Sequence, residues 1–136
     1  MSGIDAIVMG RKSFEKVLSF GFWPYDKPTY VLSKGMVNVP RELKDKVEIV
    51  NENPKRLVDQ LKELGYQNLY VDGGITIQGS LEEDLIDEMI ITRVPVLLGS
   101  GLPLFGKLPQ RLYFTHKRTE FLNDMLVESH YTRAKE

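Results

Sequence analysis

Three short segments carry residues suited to holding phosphate. Gly10-Arg11-Lys12-Ser13 ends an apolar run and opens an amphipathic stretch. Amides at the start of a helix lack intrahelical partners and attract anions. Arg11 and Lys12 add charge there, and Ser13 adds a hydroxyl. The alternative is that Ser13 only caps the helix while both cations are solvated. In Asp72-Gly73-Gly74-Ile75-Thr76, two glycines let the backbone come close to a ligand, and a helix start follows to offer amides to a pyrophosphate; a plain tight turn is the alternative. Ser33-Lys34 ends another strand, and a solvated lysine there is the bland reading. The three gain weight together, because ligands of open α/β sheets bind at the carboxyl ends of strands.

The other candidates are weaker. Trp23 and Tyr25 lie in a proline-bounded loop, where they either face a substrate or cover the edge of the core. Asp72 adjoins Gly73, and an acid beside a pyrophosphate repels it, so a turn role fits better than catalysis. His116 and His130 fall far from the phosphate segments and, without cysteine, suggest no metal site. Asp87 and Glu88 are neighbours in a strand and point to opposite faces, which argues against a paired acid and base. No residue is identified as a catalytic acid. The sequence contains neither the Rossmann glycine fingerprint nor a P-loop, so a nucleotide is held another way.

The elements that must position these residues follow from periodicity. Ile4 to Met9 reads as a strand buried on both faces. Phe14, Val17 and Leu18 mark a short helix closed by Gly21, and Thr29 to Ser33 and Val47 to Val50 read as strands. Asn53-Pro54 starts a helix whose apolar face is Leu57, Val58, Leu61 and Leu64, ended by Gly65. Asn68 to Val71 is a strand, and Ile75 to about Glu83 a short helix. Glu88 to Leu98 reads as a long strand, with Pro95 at an edge or bulge. Leu112 to Phe121 and Met125 to Thr132 form an antiparallel hairpin around Leu122-Asn123-Asp124. Strands alternating with helices imply a mostly parallel sheet.

Composition narrows the class. A chain of 136 residues with 42% hydrophobic and 27% charged residues is expected to form one domain spanning residues 1–136. Its 18 basic and 19 acidic residues leave a net charge of -1, so no broad positive field exists for nucleic acid or anionic membranes. Without cysteine there is no disulfide framework. No apolar run is long enough to span a membrane and no secretion signal opens the chain, so a cytoplasmic location is expected.

The motifs in order resemble the dihydrofolate reductase superfamily, specifically the bacterial branch similar to the C-terminal reductase domain of the riboflavin-biosynthesis enzyme RibD. The resemblance rests on Ile7 to Phe14, on Trp23-Pro24-Tyr25 with Lys27 to Ser33, on Tyr70 to Gly74, and on Leu85 to Glu88 with Pro95 to Phe105. It implies an α/β fold with a mostly parallel sheet flanked by helices and a C-terminal hairpin. It also implies NADPH as cofactor. Gly10, Arg11, Lys12 and Ser13 would meet phosphates, Ser33 and Lys34 the adenosine 2′-phosphate, and Gly73, Gly74, Ile75 and Thr76 the pyrophosphate. A cis Gly73–Gly74 peptide is expected on the same ground. The substrate would be a pterin or an aminopyrimidine such as a 5-amino-6-(ribosylamino)uracil, with Trp23 and Tyr25 on its side, and a homodimer is expected. Members of the family normally carry a further strand and helix before the equivalent of Ile4, so the fold is expected to be N-terminally truncated, with part of the substrate site missing. The chain is then either a reductase or a noncatalytic relative that binds nucleotide or forms a dimer.

Overall fold

The computed structural model describes residues 3–101, 103–123 and 125–134, with Gly74 and Ile75 described by backbone alone. Leu102 and Asp124, quoted above, lie outside the described residues. The chain divides into two compact units, one ending at Glu83 and one beginning at Asp84.

In the first unit the elements run β1 (Ala6–Gly10), α1 (Arg11–Leu18), β2 (Thr29–Leu32), a 3-10 turn at Arg41–Leu43, β3 (Val47–Val50), α2 (Pro54–Glu63), β4 (Leu69–Asp72) and α3 (Gly74–Glu82). All four strands are parallel, in the order β3-β2-β1-β4. Strand β1 is central and has no polar residue before Gly10, because both of its faces are covered. Ile7 and Met9 pack with Phe14 of α1, Val31 and Val47 on one face. Ala6 and Val8 pack with Tyr30, Leu57 and Leu61 on the other, under α2. Fully burying a side chain such as Phe14 or Leu57 contributes about 1.5–3 kcal/mol. Helix α2 starts as its sequence dictates: Asn53 Oδ1 accepts the Arg56 N–H at 2.8 Å, with Pro54 in the first turn.

Strand β4 joins β1 only if its start is held in register, and Asp5 does this. Its Oδ2 accepts the Gln67 and Asn68 N–H groups at 2.8 and 2.9 Å, while its own N–H donates to the Asn68 carbonyl at 2.8 Å. Those amide donors hold the Asp5 carboxyl below its ordinary value of 3.8. A folded value below the unfolded one means the stabilisation is complete above the unfolded value and is lost as pH falls through the folded one. Asp5→Asn is therefore expected to melt below the wild type at neutral pH, with the two melting temperatures converging on acidification. A gap that persists to about pH 2 refutes the assignment.

The second unit is an antiparallel sheet in the order β5-β7-β6, with β5 at Glu88–Arg93, β6 at Tyr113–Leu122 and β7 at Leu126–Ala134. The expected strand to Leu98 stops at Arg93 instead. Pro95 has no N–H to give a ladder, and the Val96 N–H turns back to the Val94 carbonyl at 2.8 Å. A register shift between His116 and Arg118 marks a bulge in β6. Arg133 binds Asp84 through two bonds, Nε to Oδ1 at 2.7 Å and Nη2 to Oδ2 at 3.0 Å. Among the described residues no helix is long and apolar enough to cross a membrane.

Candidate functional site

The site lies at the carboxyl ends of the first unit's strands. Gly10 at the end of β1 stands in register with Leu32, and Met9 with Asp72, so the turns after β2, β1 and β4 leave the sheet at one level. Chain order along the sheet reverses between β1 and β4, which is where open α/β sheets form their ligand crevice. Helix α1 starts directly from β1 and α3 starts one residue after β4, so both present their amino ends there.

Close backbone contacts show that the turns converge. A Cβ on Gly10 would lie 2.6 Å from Thr76 Oγ1 in the first turn of α3. A Cβ on Gly73 would run into Ser13 Oγ and lie 3.6 Å from the Gly10 nitrogen. Gly73 itself has φ 97° and ψ 130°, torsions open to glycine alone. On the other side of β1, the space beside Gly35 is bordered by Arg11 Nη1 at 3.8 Å from an added Cβ. Ser33 Oγ donates to the Gly35 carbonyl at 3.1 Å and accepts the Gly35 N–H at 3.2 Å, shaping that turn. The structure thus brings Gly10, Arg11, Ser13, Ser33, Gly73 and Thr76 to one edge. Lys12 and Lys34 are exposed on the same turns.

The helix amino ends and cations at this edge favour an anion, and the Asp72 carboxylate opposes it. Neither α1 nor α3 has an acidic residue in its first turn or a side-chain cap, so Ser13 is not the cap of α1: Gly10 is. Arg11 pairs with Glu15 at 3.4 Å, both about half exposed, and contributes little to stability in that pair. Thr76 is buried, and its carbonyl accepts the Ser80 hydroxyl at 2.8 Å, which fixes the start of α3. Among the described residues there is no cis peptide bond, so the expected cis Gly73–Gly74 link is not found. The positive φ of Gly73 turns the chain there. A cavity of about 380 Å³ between β3 and α2 is lined by Tyr30, Glu48, Leu57 and Gln60 among others, and by none of these candidates.

The profile of the family described as RibD C-terminal domain matches residues 15–127. The chain belongs to that family. It is 35% identical to an uncharacterized Bacillus subtilis protein, YwjB, over 96% of its own length and 75% of that protein's. It is 29% identical to the riboflavin biosynthesis protein RibD of Aquifex aeolicus, over 75% of this chain and 31% of that one. A solved structure from Shewanella sp. PV-4, whose name places it provisionally in riboflavin biosynthesis, matches with a TM-score of 0.93 and 46% identity. The match covers 98% of this chain and 76% of that one. A pyrimidine reductase-like protein of Corynebacterium diphtheriae, at 15% identity and a TM-score of 0.70, covers 98% and 77% and shows likeness of fold alone.

Within this RibD C-terminal domain, Trp23 and Tyr25 pack against the core beside Phe14. Ring centroids are 5.9 Å apart for Phe14 and Trp23 and 5.2 Å for Trp23 and Tyr25, both edge-on. Trp23 Nε1 is buried without a hydrogen-bond partner. Burial, together with the Asp72 charge, holds both the Tyr25 and Tyr70 phenols above the ordinary tyrosine value. Sequence reasoning missed this proximity, because the residues stand far apart in the chain. Asp72 Oδ1 accepts the Gly73 N–H at 2.8 Å, the turn role expected of it. In the second unit, His130 Nε2 meets Glu128 Oε1 at 2.8 Å, with Glu120 opposite Glu128 across the ladder.

Proposed function

We propose that this chain is an NADPH-dependent reductase acting on an aminopyrimidine or pterin. The observation that carries the reading is the Gly73 contact with Ser13 and Gly10, which sets two helix amino ends against one another at the sheet's switch point. The residues fit a dinucleotide phosphate. Glycines stand where a side chain would fill the cradle, the first turns carry no acid, and Arg11 reaches the turn of Ser33, where an additional phosphate would be met. When bound, the cofactor supplies hydride. The chain's own part is to clamp phosphates through Gly10 to Ser13 and Gly73 to Thr76, and to select the 2′-phosphate with Arg11, Ser33 and Lys34.

Trp23 is the chain's one tryptophan and contacts Phe14 in α1, so it reports on this edge directly. NADPH titration is expected to quench Trp23 emission saturably, with energy transfer to the nicotinamide, and to raise the melting temperature. Unchanged emission and melting at millimolar NADPH refute the reading. The packing of Trp23 and Tyr25 against the core favours a second reading, in which the chain binds cofactor without turnover. A single-turnover assay with a 5-amino-6-(ribosylamino)uracil phosphate and NADPH separates the two.

A further inference from the structure

The site carries one fixed negative charge that the phosphate reading leaves unused. Asp72 is the last residue of β4 and directly precedes Gly73, the cap of α3. Its carboxylate accepts the Gly73 N–H at 2.8 Å, and its charge is felt at the Tyr25 phenol. Tyr25 is itself fixed by its edge-on contact with Trp23. The acid therefore already engages an amide that an incoming phosphate would otherwise claim. With no acidic residue in the first turn of α3, Asp72 supplies negative charge at that helix end.

We propose that Asp72 is a specificity-determining residue: a resident anion that keeps free phosphate and pyrophosphate off the α3 end. A ligand must offset its repulsion with contacts elsewhere. This rests on the cofactor reading, because only a ligand that also reaches Arg11 and the Ser33–Gly35 turn gains those contacts. Small anions bound at α3 alone meet the repulsion and gain little.

The test measures pyrophosphate and NADPH affinities for wild type and Asp72→Asn at low and high salt. Asparagine keeps an oxygen to accept from Gly73, so the fold is retained. Removing one charge at this range is expected to tighten pyrophosphate about tenfold at low ionic strength and the less highly charged diester diphosphate of NADPH by less, a gain that shrinks as salt screens it. Pyrophosphate then displaces NADPH from the variant at concentrations that leave the wild type loaded. Asp72→Ala, melting lower for loss of the Gly73 bond, is expected to show the same gain. Equal or weaker pyrophosphate binding by both variants overturns the proposal, as does a gain that salt leaves untouched. Tighter pyrophosphate binding with no NADPH binding by any form upholds the role of Asp72 and removes the cofactor reading instead.

Discussion

Gly73→Ala is expected to weaken NADPH binding at least about a hundredfold while leaving a folded protein of lowered melting temperature. At φ 97° and ψ 130° an alanine is strained by about 1–3 kcal/mol. Its Cβ would also enter the space held by Ser13 Oγ, with the Gly10 nitrogen 3.6 Å away, and overpacking of that kind costs about 1–3 kcal/mol more. Domain stabilities of about 5–15 kcal/mol survive such a loss, but the turn does not survive it in place. Relief requires moving the Gly73 turn away from α1, which separates the two helix ends whose meeting makes the site. Ser13→Ala removes the collision with Oγ but leaves the residue-13 Cβ 3.3 Å away and the backbone strain in place, so the double variant recovers only part of the affinity. Gly65→Ala is the control: φ is 93° there, nothing lies within 4 Å of an added Cβ, and the position closes α2. It is expected to lower the melting temperature and leave NADPH affinity unchanged. Wild-type affinity in Gly73→Ala would remove the converging-turn account of the site.

The parts of this architecture that local chemistry dictates are legible in the chain, and the parts set by pairing are not. Asn53-Pro54 announces α2, and the unbroken apolar run before Gly10 announces a strand covered on both faces, because each signal depends only on neighbours. Two of the three candidate segments, Gly10 to Ser13 and Asp72 to Thr76, are legible for the same reason: each writes a strand end and a helix start contiguously. That they share one edge depends on the order β3-β2-β1-β4, which no periodicity reports. The resemblance supplied that step, and the Gly10–Thr76 approach gives it a distance. The apolar run through Val94, Val96, Leu97 and Leu98 looks like strand in the sequence, whereas Pro95 ends the ladder, stops β5 at Arg93 and leaves those side chains exposed. Trp23 and Tyr25 are open between substrate and core in the sequence; in the structure Trp23 meets Phe14 edge-on and Tyr25 meets Trp23 edge-on.

Cofactor choice should depend on charge on the far side of β1 from Gly73. Replacing Arg11 and Lys34 together by glutamine is expected to weaken NADPH binding about ten- to a hundredfold and to leave NADH within about twofold of wild type. Arg11 Nη1 borders the space beside Gly35, and the Ser33 hydroxyl holds that turn through its two bonds to Gly35, so a phosphate there meets a guanidinium and a preformed loop at once. Hydrogen bonds to a charged group contribute about 1.5–3 kcal/mol each. Both side chains are exposed, so the lower end of that range applies to each. The Glu15 carboxylate, 3.4 Å from Arg11 Nε, must share or release the guanidinium when phosphate arrives. Glu15→Gln should therefore move NADPH affinity in the opposite direction to Arg11→Gln. High salt should shrink the NADPH preference of the wild type towards that of the double variant. An equal loss of NADPH and NADH in the double variant would show instead that Arg11 and Lys34 hold the pyrophosphate, and the 2′-phosphate would then need another partner on this edge.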